Sequence, residues 1–149
     1  MMGKIVPELA VADIEQSLQF YTALGFVKDN EGIVDEQGAQ WYSVALGESA
    51  LWLIRADAAH GLVESDPRGN GVTLYVEVDD IDTLHERVCD AGLLMNIVKP
   101  IETMWYGLRQ FSMADPDGYI LTLNQQVAQP ESGEGEGEVE NTEGQPSGE

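Results

Sequence analysis

The segment LAVADIE at residues 9–15 has a counterpart 67 residues later, VEVDDID at residues 76–82. In each copy a short apolar run predicts a strand. The aspartate that follows, Asp13 or Asp80, can accept hydrogen bonds from the free amides of a first helical turn. Apolar residues then recur at helical spacing, and a glycine stands where each helix should end. The sequence therefore predicts two copies of a strand that leads into an amphipathic helix.

Short apolar segments broken by Gly, Asp or Pro follow each predicted helix, and we interpret them as antiparallel strands. They span residues 39–46 and 50–54 in the first half and residues 108–114 and 119–123 in the second. The sequence Asp-Pro-Asp-Gly at 115–118 has proline and glycine at positions that suit a tight turn. The prediction is an α+β fold built from two βαβββ modules.

Side-chain alternation in the predicted strands indicates where a ligand would bind. Alternate residues of a strand face opposite sides, and in four strands one side is almost wholly aliphatic, which predicts packing against the helices. The opposite side mixes aromatic, polar and acidic groups, as expected of a ligand cleft rather than of an ordinary solvent-facing sheet. The candidate ligand-binding residues are Glu8, Trp41, Trp52, Thr73, Tyr75, Glu77 and Thr122.

The composition excludes several classes of partner. The formal charge is −20, from 27 acidic and 7 basic residues, so the chain should repel nucleic acid and attract cationic ligands. No window approaches the roughly 20 apolar residues of a membrane span, and we expect a cytoplasmic protein.

The single cysteine, Cys89, excludes an internal disulfide and is interpreted as a small core side chain. His60, in a predicted loop, and His85, in the second helix, are not expected to be metal ligands.

The C-terminal segment differs in composition from the rest of the chain. From residue 129 onward it contains one aliphatic residue, Val139, and residues 131–149 hold seven glutamates and no lysine or arginine. Such a segment buries too little apolar surface to offset the entropy lost on ordering. We predict one domain over residues 1–128 and a disordered acidic tail over residues 129–149, whose deletion should change stability little.

Four segments, taken in order over about 120 residues, resemble the glyoxalase, bleomycin-resistance and extradiol dioxygenase superfamily, also called the vicinal oxygen chelate superfamily. They are VPELAVAD at 6–13, FYTALGF at 20–26, YVEVDDI at 75–81 and WYGLRQFSMADPDG at 105–118. The resemblance implies paired βαβββ modules whose curled mixed sheets enclose a cleft. The likeness is closest to bleomycin-resistance proteins, which implies a homodimer and places Trp105 and Tyr106, followed by Arg109 and Phe111, beside the ligand groove.

The resemblance also identifies the positions at which metal-dependent members hold an ion. Those members carry His, Glu or Gln at the inward position of the first and last strand of each module, and these positions align with Val6, Trp52, Thr73 and Thr122. An apolar side chain, an indole and two hydroxyls cannot replace the hydration that a divalent ion loses. The sequence therefore predicts a domain without a metal or other cofactor.

The leading functional hypothesis is metal-free binding and sequestration of a small planar or cationic molecule, as in bleomycin-type antibiotic resistance proteins. Trp52, Tyr75 and Trp105 would stack on the ligand, and Glu8 or Glu77 would pair with its positive charge. The alternative is a metal-independent lyase or isomerase in which Glu8 acts as general base near Tyr75. A third possibility is an interaction module whose cleft is filled by Trp52.

Overall fold

The computed structural model describes residues 3–58 and 69–128, so the predicted acidic tail (129–149) and His60 lie outside the described residues. Within these ranges the order of helices and strands follows the prediction of two modules. It is β1 (Glu8–Val11), α1 (Ile14–Ala23), β2 (Val27–Lys28), β3 (Ile33–Asp35), β4 (Gly38–Leu46), β5 (Ser49–Arg55), β6 (Thr73–Glu77), α2 (Ile81–Asp90), β7 (Ile97–Thr103), β8 (Leu108–Ala114) and β9 (Ile120–Gln126).

The strands form two curled mixed sheets, one for each module, which do not close into a barrel. Sheet A has the order β1-β5-β4-β2, with β3 also paired to β4, and sheet B has the order β6-β9-β8-β7. In each sheet the module's first strand runs parallel to its last strand. Glu8 is opposite Trp52 in sheet A, just as Tyr75 is opposite Thr122 in sheet B. The register therefore repeats between the modules, and the predicted fold is confirmed.

Both helices begin and end where the sequence predicts. The carboxylates of Asp13 and Asp80 accept the backbone N–H three residues further on, at 3.2 Å and 3.1 Å respectively. The glycine that follows each helix, Gly25 or Gly92, adopts a positive φ of 107° or 79°. In the described part of the chain, no helix combines the length and the apolar character needed to cross a bilayer.

One apolar core lies between the helices and the aliphatic side of the sheets and includes residues of both modules. Its fully buried members include Val11, Tyr21, Val44, Leu53, Ile81, Val88, Leu121 and Leu123. The prediction that one face of four strands packs against the helices is therefore confirmed. The other side of each sheet, which we call its open face, faces away from this core.

Cys89 is exposed, so the interpretation of this residue as a core side chain is wrong. Helix α2 buries Ile81, Leu84 and Val88, which recur at helical spacing. Cys89 follows Val88 directly and therefore points about 100° away from the buried face. Its sulfur lies 4.0 Å from Nδ1 of His85.

The predicted Asp-Pro-Asp-Gly turn between β8 and β9 is confirmed, and it carries a buried carboxylate. The Gly118 N–H donates to the Asp115 carbonyl at 3.0 Å. The side chain of Asp115 accepts the Tyr21 hydroxyl at 2.7 Å on Oδ2, and it accepts the backbone N–H groups of Asp117 and Tyr119 on Oδ1. Burial raises the pKa of Asp115 in spite of these hydrogen bonds, which favour its charged form.

The same turn is hydrogen-bonded to β1 and the residue after it. The backbone N–H of Ala12 donates to Oδ1 of Asp117 at 2.9 Å. The Tyr119 hydroxyl donates to the carbonyl of Ala10, also at 2.9 Å. Together with the buried bond from α1 to Asp115, these contacts fix the first module against the second.

Candidate functional site

The open face of sheet A presents an aromatic wall beside a carboxylate. Glu8, Trp52 and Ser43 are neighbours across β1, β5 and β4. Trp41 packs edge-on against Trp52, with ring centroids 5.5 Å apart and an interplanar angle of 69°. Trp52 is 39% exposed, and Glu8 is exposed without an ion-pair partner in the described part of the chain. The structure thus brings together three of the predicted site residues, Glu8, Trp41 and Trp52.

The open face of sheet B holds four more predicted residues. Tyr75 is opposite Thr122, which is opposite Ser112. Tyr75 is 61% exposed, whereas Thr122 is only 3% exposed and shares a hydrogen bond of 2.8 Å with the Ser112 hydroxyl. Thr73 and Glu77 are exposed on the same edge strand as Tyr75. This face is therefore more polar than that of sheet A, with one projecting aromatic ring.

A second row on the open face of sheet B includes residues that the sequence did not single out. Glu77 is followed across the sheet by Asn124, Gln110 and Glu102. Asn124 is buried, and Oε1 of Gln110 is a buried oxygen that has no hydrogen-bond partner within residues 3–58 and 69–128. The alternation of side chains along β8 could have identified Gln110 from the sequence. Its neighbours Arg109 and Phe111 face the helices, so Gln110 must lie on the open face.

Two cavities lie where the edge strands β1 and β6 approach each other. The larger, about 320 Å³, is lined by Thr73 and Tyr75 together with residues of the N-terminal arm and the start of β5. The smaller, about 220 Å³, is lined by Glu8 together with Val72 and Tyr119. Glu8 of β1 and the Thr73–Tyr75 part of β6 therefore border two separate cavities, whereas Glu77 and the tryptophan pair of sheet A line neither.

Trp105 and Tyr106 occupy the turn between β7 and β8, with ring centroids 5.3 Å apart. Trp105 is 62% exposed, and within residues 3–58 and 69–128 its only ring contact is with Tyr106. Arg109 pairs with Asp82 of α2 at 3.0 Å, and Phe111 is buried in the core. The expectation that Arg109 and Phe111 lie beside the groove is therefore wrong, because both residues face the helices.

The four positions that hold a metal in other members do not fit an ion here. Val6 and Trp52 offer no suitable donor, and the Thr122 hydroxyl is already paired with Ser112. No group of three or more His, Cys, Asp or Glu side chains in the described ranges could hold a metal. His85 lies edge-on to the core residue Phe111, with ring centroids 5.0 Å apart, away from both open faces.

The chain belongs to the Glyoxalase/Bleomycin resistance protein/Dioxygenase superfamily, whose family model matches residues 3–123. The family predicted from the sequence is therefore confirmed. No curated protein sequence matches the chain.

Solved structures show the same fold at low sequence identity. TioX from Micromonospora sp. ML1 is 20% identical, with a TM-score of 0.64 over 86% of this chain and 99% of that one. A bleomycin resistance determinant encoded on the transposon Tn5 is 22% identical, with a TM-score of 0.63 over 85% and 100%. A bleomycin-binding protein in complex with bleomycin is also 22% identical, with a TM-score of 0.58 over 84% and 99%. Likeness at these identities establishes the fold alone.

Proposed function

We propose that this protein binds and sequesters a small planar or cationic molecule, without a metal ion and without changing the molecule chemically. The observation that carries the proposal is the partly exposed Trp41–Trp52 pair beside the carboxylate of Glu8, which forms no ion pair with the described residues. Flat indole surfaces stack on planar ligands, and a neighbouring carboxylate pairs with a positive charge. The donor-poor positions Val6, Trp52, Thr73 and Thr122 support binding without a metal.

The open face of sheet B supplies the opposite wall of the proposed cleft. On this face the ligand would contact Thr73, Tyr75, Glu77 and Thr122. Trp105 and Tyr106 would contact it from the turn that follows β7. Each sheet leaves its aromatic side chains uncovered, and two-fold pairing of chains would cover them. The proposal therefore includes a homodimer in which the open faces of two modules enclose the ligand.

The acidic charge and the structural neighbours support a cationic drug-like ligand. The formal charge of −20 favours cations over anions. One structural neighbour binds bleomycin, which makes metal-free bleomycin a suitable first probe for this chain. Sequestration of such a molecule in the cytoplasm would confer antibiotic resistance. The alternative, a lyase or isomerase that uses Glu8 as general base, has less support because this carboxylate is exposed to solvent.

Thermal denaturation with and without chelator tests this proposal. Metal-free bleomycin should raise the melting temperature in EDTA, because binding to the native state stabilises it. Planar organic cations that do not chelate metals should raise it equally in EDTA and with added Zn²⁺, Mn²⁺ or Ni²⁺. At a free ligand concentration of 100 Kd the stabilisation is about 2.7 kcal/mol. A planar anion is the matched control and should give a smaller shift. One tightly held metal per chain by elemental analysis, or a shift that requires metal, would contradict the proposal.

A further inference from the structure

Four side chains form a continuous row across all four strands of sheet B. Glu77 of β6 is opposite Asn124 of β9, which is opposite Gln110 of β8, which is opposite Glu102 of β7. Residues opposite each other on neighbouring strands point to the same face of a sheet. Adjacent strands are about 4.8 Å apart, so the row is roughly 14 Å long. We call this set of four residues the acceptor row.

The middle of the acceptor row holds two amide oxygens that accept no hydrogen bond from the described residues. The amide nitrogen of Asn124 donates to the carbonyls of Val76 and Thr122, and no hydrogen bond to its Oδ1 is found among the described residues. Asn124 is only 6% exposed, and Oε1 of Gln110 is buried without a hydrogen-bond partner in the described part of the chain. Rotating the Gln110 amide would bury an unpaired nitrogen instead. A buried polar atom without a partner is unfavourable, so a bound donor would relieve this cost.

The two ends of the acceptor row are negatively charged. Glu77 and Glu102 are both exposed, and neither forms an ion pair within the described ranges. Arg109 is paired with Asp82 on the helix side of the sheet, and Lys99 lies opposite Ser112 in the neighbouring row. Two strands separate the carboxylates, so one metal ion cannot contact both. The charges suit two cationic groups held apart by a flexible chain.

We propose that the acceptor row binds a linear polyamine chain, either free or as the aminoalkyl arm of a larger ligand. Terminal ammonium groups pair with Glu77 and Glu102, and internal N–H groups donate to Asn124 and Gln110. The inference rests on the proposed function, because it names the chemistry of the ligand segment that lies on sheet B.

Calorimetric titration of the full chain with spermine at fixed ionic strength tests the acceptor row. Glu77→Gln and Glu102→Gln should each weaken spermine binding about fivefold, as expected for loss of one solvent-exposed ion pair. Gln110→Leu should weaken it by a similar factor without lowering the melting temperature, because the substitution also removes the unpaired buried oxygen. Putrescine, which is too short to reach both carboxylates, should bind more weakly than spermine.

Glu86→Gln is the matched control, because Glu86 is exposed on α2 and its substitution changes the net charge equally. Every variant keeps the acidic C-terminal segment, so nonspecific attraction is common to all of them. If Glu86→Gln weakens spermine binding equally, the acceptor row is not the binding site. Unchanged spermine binding in Glu77→Gln, Glu102→Gln and Gln110→Leu would also overturn the proposal.

A planar monocation separates this inference from the proposed function. Ethidium has no polyamine chain and should bind Glu102→Gln as it binds the wild type. Failure of spermine together with normal ethidium binding rejects the acceptor row alone. Failure of every planar cation, with spermine binding that depends on the row, rejects the aromatic cleft and leaves the polyamine site standing.

Discussion

Replacing Tyr21 by phenylalanine should lower the free energy of unfolding by about 2 kcal/mol, the typical value of a hydrogen bond to a charged group. The Tyr21 hydroxyl donates to Oδ2 of Asp115 at 2.7 Å, and both residues are buried. The substitution removes this donor while the carboxylate stays buried. Because the bond connects α1 of the first module with the turn between β8 and β9, its loss also weakens the junction between the modules. Urea denaturation at neutral pH measures the effect.

Tyr42→Phe is the matched control for Tyr21→Phe. Tyr42 is also a buried tyrosine, but its hydroxyl makes no hydrogen bond within the described residues, and its ring lies under the Lys28 ammonium at 4.6 Å. This substitution should change stability by less than about 0.5 kcal/mol. Equal losses in the two variants would contradict the role assigned to the Tyr21–Asp115 bond.

The cost of Tyr21→Phe should depend on pH. Burial raises the pKa of Asp115 above its ordinary value of 3.8. The stability that the protonated Asp115 contributes is therefore fully present below pH 3.8 and is lost as the pH rises through the raised pKa. The Tyr21 hydrogen bond opposes the rise, and its removal raises the pKa of Asp115 further. The difference in stability between wild type and variant should therefore be larger at pH 7 than near pH 4.

Trp52→Ala should weaken binding of metal-free bleomycin, or of another planar cation, about thirtyfold. Truncation of a buried aromatic side chain that stacks on a ligand typically costs on the order of 2 kcal/mol. Trp52 lies between Glu8 and Ser43 on sheet A, and the ring of Trp41 packs edge-on against it. Its removal takes away most of the flat surface beside the carboxylate. Quenching of tryptophan fluorescence and calorimetry both report the dissociation constant.

Met95→Ala is a suitable comparison for Trp52→Ala, since Met95 is a large, exposed apolar residue outside both open faces. It should leave the dissociation constant unchanged within a factor of two. Trp105→Ala tests whether the turn between β7 and β8 reaches the ligand, and it should weaken binding in the same direction as Trp52→Ala. Unchanged affinity in Trp52→Ala would show that the ligand does not stack on sheet A.

The features of the fold that depend on local sequence could be predicted. Asp13 and Asp80 cap their helices through neighbouring backbone amides, and the turn at 115–118 depends on its own proline and glycine. Strands β2 and β3 could not be predicted, because two or three residues are too few to show alternation. Strand β7 was also missed, because Pro100 and its register shifts interrupt the pattern.

The candidate site could be predicted only in part, because it is formed by strands that are distant from each other in sequence. Alternation identified which side of each strand lies away from the helices, and this placed Trp52 and Tyr75 on open faces. Which residues are neighbours depends on the register between strands distant in sequence. The juxtaposition of Asn124 with Gln110 follows from that register and has no local signal.

Titration of the wild type with metal-free bleomycin in EDTA, followed by mass spectrometry of the recovered ligand, tests whether the protein sequesters its ligand unchanged. We expect saturable binding, a ligand recovered with unchanged mass, and weaker binding by Glu8→Gln with a difference that shrinks as salt is added. A product formed by the wild type and abolished in Glu8→Gln, with the ligand still bound normally, would contradict sequestration and identify Glu8 as a general base.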